Sequence, residues 1–202
     1  LLGPFLISLI FCLIIYYNFS LLNLVNSILL LATFYLFYTT ARDFFINRFK
    51  NISQSISHFG FSLLVLSILL NSIFSTEVTA NLKVGDKYNF NNGSIIFSSL
   101  KRSNGSNYES LIGNFIIKNS ENEVINLKPE IRIYNQPITI TSEADIKTSL
   151  YSDKFIVMNK VNDNDFFNVR YQVKPFMIWI WMSGIIISIG GIFTFLRKAY
   201  EK

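Results

Sequence analysis

The chain has 202 residues, of which 50% are hydrophobic and 16% aromatic, and only 15% are charged, against about a quarter in an ordinary soluble domain. Its formal charge of +5 does not point to nucleic acid, because of where the excess lies: Arg42, Arg48 and Lys50 stand against Asp43, and Arg197, Lys198 and Lys202 against Glu201. Both clusters flank apolar runs, where membrane topology explains them. Residues 76–174 hold twelve basic and eleven acidic side chains and are nearly neutral. Cys12 is the single cysteine; it can form no internal disulfide or thiolate cluster and reads as a small buried apolar side chain.

No charged side chain occurs between Leu1 and Thr40. The chain opens on Leu1 inside an apolar run, which reads as the C-terminal part of a longer protein or the product of a split gene. Four apolar spans follow in order, about Phe5–Tyr17, Leu21–Thr40, Ile56–Phe74 and Phe176–Phe195. Each approaches the roughly 20 residues needed to cross a hydrocarbon core. Trp179, Trp181 and Tyr200 near the ends of the fourth are placed as interfacial aromatics. The basic loop near 41–55, the uncharged connection near Asn18–Ser20 and the basic tail fit one orientation. Loop and tail are expected on the cytoplasmic or equivalent matrix side, and residues 76–174 on the opposite, periplasmic or intermembrane-space side.

That inserted segment reads as mostly β. Ser94–Leu100, Asn114–Lys118, Val124–Leu127, Ile131–Tyr134 and Phe155–Val161 are short apolar or alternating runs, and Phe167, Val169, Tyr171 and Val173 alternate onto one face. Turn signals at Gly85-Asp86, Asn92-Gly93, Asn104-Gly105 and Asn119–Asn122 separate them. Ser142–Thr148 is expected to form one turn of helix. The expected fold is therefore membrane α-helical, with about four transmembrane helices and an inserted extracytoplasmic, mostly β domain built as a small barrel or sandwich. Its parts are three helices in 1–75, the β-rich domain in 76–174, and a final helix with a basic tail in 175–202.

Few groups could carry chemistry. His58, the single histidine, opens the third span in Ser57-His58-Phe59-Gly60-Phe61. It is open to two readings: an axial heme ligand, with Gly60 allowing a flat ring close to the helix, or an interfacial histidine with its polar edge among headgroups. One histidine cannot supply a bis-His site, so on the first reading the second ligand would have to come from outside residues 1–202. Glu121 with Glu123 and Asp163 with Asp165 sit in polar, turn-like stretches and read as solvated loop charges. No phosphate-binding glycine loop or nucleophile–base arrangement occurs, so catalysis by this chain alone is not expected. In Lys128-Pro129-Glu130-Ile131-Arg132-Ile133-Tyr134, Glu130 and Arg132 share one face of a strand. They read either as a surface salt bridge or as a contact surface for a partner. A membrane-anchored scaffold whose β-domain binds a partner without a cofactor is the alternative to a heme-handling protein. A transporter subunit would rest on Asn23, Asn26 and Asn71 within the spans.

Several segments in register resemble the CcmF family, the membrane subunit of the cytochrome c heme lyase. They are Ser57-His58-Phe59-Gly60 with Ser75-Thr76-Glu77; Pro129-Glu130-Ile131-Arg132-Ile133-Tyr134 with Thr141-Ser142-Glu143-Ala144 and Ser152-Asp153; and Lys174-Pro175-Phe176 with Trp179-Ile180-Trp181 and Gly190-Gly191. The resemblance covers the family's C-terminal region from about Ala41 onward. It implies a role in cytochrome c-type biogenesis in the bacterial or mitochondrial inner membrane. Heme would pass from the chaperone CcmE to apocytochrome c, presented by CcmH- and CcmI-type subunits. It further implies a structural heme b held between two transmembrane histidines and reduced by quinol, with His58 as the second of those ligands. The family's tryptophan-rich segment, its two flanking outer histidines and its first transmembrane ligand are not in these residues, and the resemblance assigns them upstream.

Overall fold

The computed structural model describes residues 2–18, 23–47, 52–119, 123–161 and 165–200. The chain divides into two compact units. One comprises residues 1–75, the short segment Leu150–Ser152 and residues 175–202; the other is Thr76–Ser149 with Asp153–Lys174.

The first unit is helical: α1 Leu2–Asn18, α2 Leu24–Asn47, α3 Ile52–Phe74 and α4 Met177–Tyr200. The last three contain stretches long and apolar enough to span a membrane. At 1.5 Å per residue, the 17 residues of α1 reach only about 25 Å, somewhat short of the hydrocarbon core. α2 runs beyond Thr40 through Arg42 and Asp43, so residues 41–47 are helix rather than loop. Nothing between Ala41 and Asn47 breaks a helix, and charged side chains are tolerated where an apolar helix leaves the lipid. Arg48, Lys50, Glu201, Lys202 and most of the connection after Asn18 lie outside the described residues, as do Glu121 and Asp163.

The three asparagines sit at or near helix ends. Asn23 Oδ1 accepts the Asn26 backbone N–H at 2.8 Å, an N-cap for α2. Asn71, in the last turn of α3, donates through Nδ2 to the Pro175 carbonyl at 2.6 Å. The Asn23 and Asn71 side chains satisfy backbone groups near helix termini, and the three residues do not make a polar midplane. Cys12 is buried beside Leu30, and its thiol donates to the Ser27 carbonyl at 3.3 Å.

α3 and α4 meet along small residues. A Cβ added to Gly60 would lie 2.9 Å from side-chain carbons of both Ile186 and Ile187. One added to Gly190 would overlap Ser57 Oγ and stand 2.9 Å from Ser53 O and Ser57 N. Membrane helices pack this closely where small residues let backbones approach. Gly191, next in sequence, has nothing within 4 Å of such a Cβ.

The second unit is an antiparallel β-sandwich. Its strands are β1 Thr76–Leu82, β2 Lys87–Phe90, β3 Gly93–Asn104, β4 Tyr108–Asn119, β5 Val124–Leu127, β6 Glu130–Asn135, β7 Ile138–Glu143, β8 Asp145–Thr148, β9 Ser152–Lys160 and β10 Phe167–Pro175. One sheet has the order β1-β10-β9-β8; the other is β2-β3-β4-β6-β7, with β5 also beside β4. The alternating apolar residues of both inner faces meet in one core. There the Phe97 and Phe115 rings stack 4.4 Å apart and Phe167 meets Phe97 edge-on. β5 and β6 share one edge of β4, with Lys128-Pro129 between them, and Gly113 N–H donates to the Pro129 carbonyl. Proline has no N–H to continue a ladder, so the strand restarts after it. The expected helical turn at Ser142–Thr148 is instead the end of β7, Ala144 and β8. Ser142 faces Ile131 in register on β6, and sheet pairing outweighs the local preference.

Candidate functional site

His58 lies in the second turn of α3, and its neighbours fix where it points. Phe59 turns toward α2, with ring centroids 5.7 Å from Phe37 and 5.4 Å from Phe44. Ser62, fully buried, sits with its hydroxyl 2.6 Å from that of Thr40 on the same helix. Ser57 and Gly60 face α4. The remaining direction belongs to His58, which is exposed on a stripe with Gln54, Phe61, Ile68 and Ser72, at the three-, four- and seven-residue spacings of one helix face. Further along that face, Val65, Ile68, Leu69 and Ser72 join Leu29 and Thr33 of α2 around an apolar groove of about 340 Å³.

Among the described residues no group of three or more His, Cys, Asp or Glu could hold a metal ion, and His58 has no hydrogen-bond partner. Its imidazole lies on the exposed side of α3, off the faces that meet α2 and α4. Gly60 does not serve it as a close-approach surface, because that glycine is occupied by Ile186 and Ile187.

The second sequence-derived site is on the β-domain. Arg132 Nε and Glu130 Oε2 are 3.0 Å apart on one face of β6, both side chains part-buried. Period-two geometry brings residues i and i+2 onto that face. The Arg132 guanidinium lies 4.9 Å from the centre of the Tyr108 ring, a cation–π contact, and Tyr108 meets Tyr134 at 5.4 Å. The hydrogen bond to Glu130, and then that to Tyr134, raise the arginine pKa above its already high ordinary value. Tyr108 arrives from β4, where it is in register with Tyr134; no sequence pattern links it to Arg132. Glu143 of β7 stands directly across from Glu130, a neighbour set by the hairpin register.

Of the acidic pairs, Glu123 binds Lys154 Nζ at 2.7 Å. The hydrogen bond and charge of Lys154 hold the Glu123 carboxyl below its ordinary pKa. This ties Lys154 of β9 to the residue just before β5.

Comparison with known proteins identifies the family of the chain. The family described as the CcmF C-terminal beta-sandwich matches residues 73–175. The cytochrome c-type biogenesis protein CcmF of Pseudomonas aeruginosa is 28% identical over 148 residues, covering 73% of this chain and 22% of that protein. CcmF of Escherichia coli is 24% identical over 147 residues, covering 72% and 23%. The solved structure of the cytochrome c heme lyase CcmF superposes with a TM-score of 0.69 at 16% identity, over 95% of this chain and 33% of that one. The chain thus spans under a quarter of the length of these curated relatives. It is an integral membrane protein with a β-sandwich, it corresponds to the C-terminal part of CcmF, and it belongs to the CcmF family of cytochrome c-type biogenesis proteins.

Proposed function

We propose that this chain is the C-terminal part of a heme lyase subunit in cytochrome c maturation, and that His58 is one axial ligand of a structural heme b. The second ligand comes from outside residues 1–202. The observation that carries this reading is the exposed imidazole on one stripe of α3, which has no hydrogen-bond partner among the described residues. A charged or strongly polar side chain at membrane depth is costly and marks function when nothing within its own unit satisfies it. Heme iron would supply one-electron chemistry there. The chain's own contribution is to hold the imidazole ring. The Gly60 and Gly190 contacts set α3 against α4, and the Phe59 and Ser62 contacts set it against α2, which fixes the direction of His58.

In this reading the β-domain lies on the periplasmic or intermembrane-space side of an inner membrane, with the connection after Asn47 and the tail cytoplasmic. Heme passes from the chaperone CcmE to apocytochrome c, CcmH- and CcmI-type subunits present the apoprotein, and quinol supplies electrons. The β-domain has no histidine and binds protein partners, with Glu130 and Arg132 on the contact surface. The experiment is a dithionite-reduced absorption spectrum of the full-length protein with and without His58→Ala. The reading requires loss of the low-spin heme b bands at normal protein level. An unchanged spectrum returns His58 to an interfacial role and favours the scaffold alternative, in which the β-domain alone does the work.

A further inference from the structure

We infer that the free edge of β7 receives an extended strand from another protein on the side where the β-domain lies. Among the described residues five strands have a single neighbour: β1 and β8 in one sheet, β2, β7 and β5 in the other, and β5 is blunted by its length of four residues. Unpaired edges template association, and folded proteins guard them with charge. Glu77 lies in β1, Lys87 in β2, and Asp145 and Lys147 in β8. β7 begins Ile138-Thr139-Ile140-Thr141 and reaches its first charge only at Glu143. These β-branched residues favour strand, and Ile138 and Ile140 are 84% and 66% exposed. Alternate residues of an edge strand aim their N–H and C=O away from the sheet, so half of β7's backbone polar groups are presented to a partner.

The charge pattern states what kind of strand fits. Glu130 and Glu143 face each other across β6 and β7. Arg132 is committed to Glu130. Thr141 donates its hydroxyl to Glu143 at 3.0 Å, but among the described residues no cationic side chain pairs with Glu143. Like charges placed directly opposite are destabilising, so one basic residue on the incoming strand, beside Glu143, completes the set. The face carrying Ile138 and Ile140 calls for apolar residues at alternate positions. The partner is therefore an extended segment, apolar on one side and carrying a lysine or arginine on the other, added by β-augmentation. This rests on the reading of Glu130 and Arg132 as a partner surface and gives that partner a shape.

The test uses the full-length protein in lipid nanodiscs and a labelled synthetic peptide that alternates valine with threonine and carries one lysine on the threonine face. Binding is read by fluorescence anisotropy and by hydrogen exchange of the amides in residues 138–143. The expected result is saturable binding that protects those amides. It weakens about tenfold or more in Ile140→Lys, in Glu143→Lys, and with a peptide N-methylated at alternate residues. Equal binding of the N-methylated peptide, or no binding, overturns the inference. So do amides already protected in the protein alone, where another segment of the same protein covers the edge, or self-association through β7. Cells carrying each variant separate this from the parent reading. If Arg132→Ala lowers cytochrome c output and Ile140→Lys does not, the edge proposal fails alone. If neither lowers it, the partner surface fails with it.

Discussion

Gly190 and Gly191 are adjacent in sequence and opposite in consequence. A Cβ at Gly190 overlaps Ser57 Oγ and comes within 2.9 Å of Ser53 O and Ser57 N. The serine hydroxyl can rotate away, but the two backbone atoms cannot. α4 would have to move several tenths of an ångström from α3, and each contact along the seam would lose part of its dispersion attraction. Overpacking of this kind costs about 1–3 kcal/mol, so Gly190→Ala is expected near the lower end and Gly190→Val near the upper. Gly191→Val meets open space and should stay within about 0.5 kcal/mol of the parent. Helix propensity changes equally at both sites and cancels in the comparison. The assay is thermal unfolding of the full-length protein in nanodiscs, with heme content read on the same samples. Because Ser57 directly precedes His58, Gly190→Val should also lower heme occupancy while leaving the ligand itself in place. Valine variants that unfold together and hold equal heme would refute the account of the α3–α4 seam.

Tyr171 offers a test in the β-domain. It is 2% exposed, its hydroxyl has no hydrogen-bond partner among the described residues, and burial, then the charge of Glu123, push its pKa up to about 12. An unpaired buried hydroxyl is costly, so Tyr171→Phe should stabilise the domain by about 1–2 kcal/mol at neutral pH. A loss of stability would show that the hydroxyl makes a needed bond. Below pH 10 the tyrosine is neutral folded or unfolded. Between 10 and about 12 only the unfolded chain ionises, so stability should fall there by about 2–3 kcal/mol. Phenylalanine should abolish that slope in alkaline unfolding followed by circular dichroism. Gly93 has φ +155° and a Cβ there would overlap Lys118 O, so Gly93→Ala should loosen the β3–β4 pairing by about 2–4 kcal/mol. Faster proteolysis of the β-domain would report it, and an unchanged rate would contradict it.

What could be read from the sequence depended on how strongly burial constrains each segment. Spans three and four are bounded within a few residues because apolar length alone sets them. β10 was legible from Phe167, Val169, Tyr171 and Val173 because the sandwich core buries or half-buries all four. β1, β2, β7 and β8 give a weaker signal, because edge strands bury few side chains and need not alternate. The end of α2 is not legible in the sequence, since Arg42 and Asp43 read as loop whereas a helix continues where nothing stops it. At the sites, the Glu130–Arg132 pair followed from strand period two. The Tyr108 ring and Glu143 did not, since both depend on registers between distant strands. His58 could be singled out by residue type alone, but its direction required knowing that Phe59, Gly60 and Ser62 were already taken by neighbouring helices.

The central claim, that His58 ligates heme iron, is tested most directly by replacing it with glycine and restoring the ligand from solution. His58→Gly removes the imidazole from an exposed face of α3 and leaves room for a free one. The account predicts that the reduced full-length protein loses its low-spin heme b spectrum and regains it when imidazole is added. A low-spin spectrum that survives His58→Gly without imidazole would contradict it.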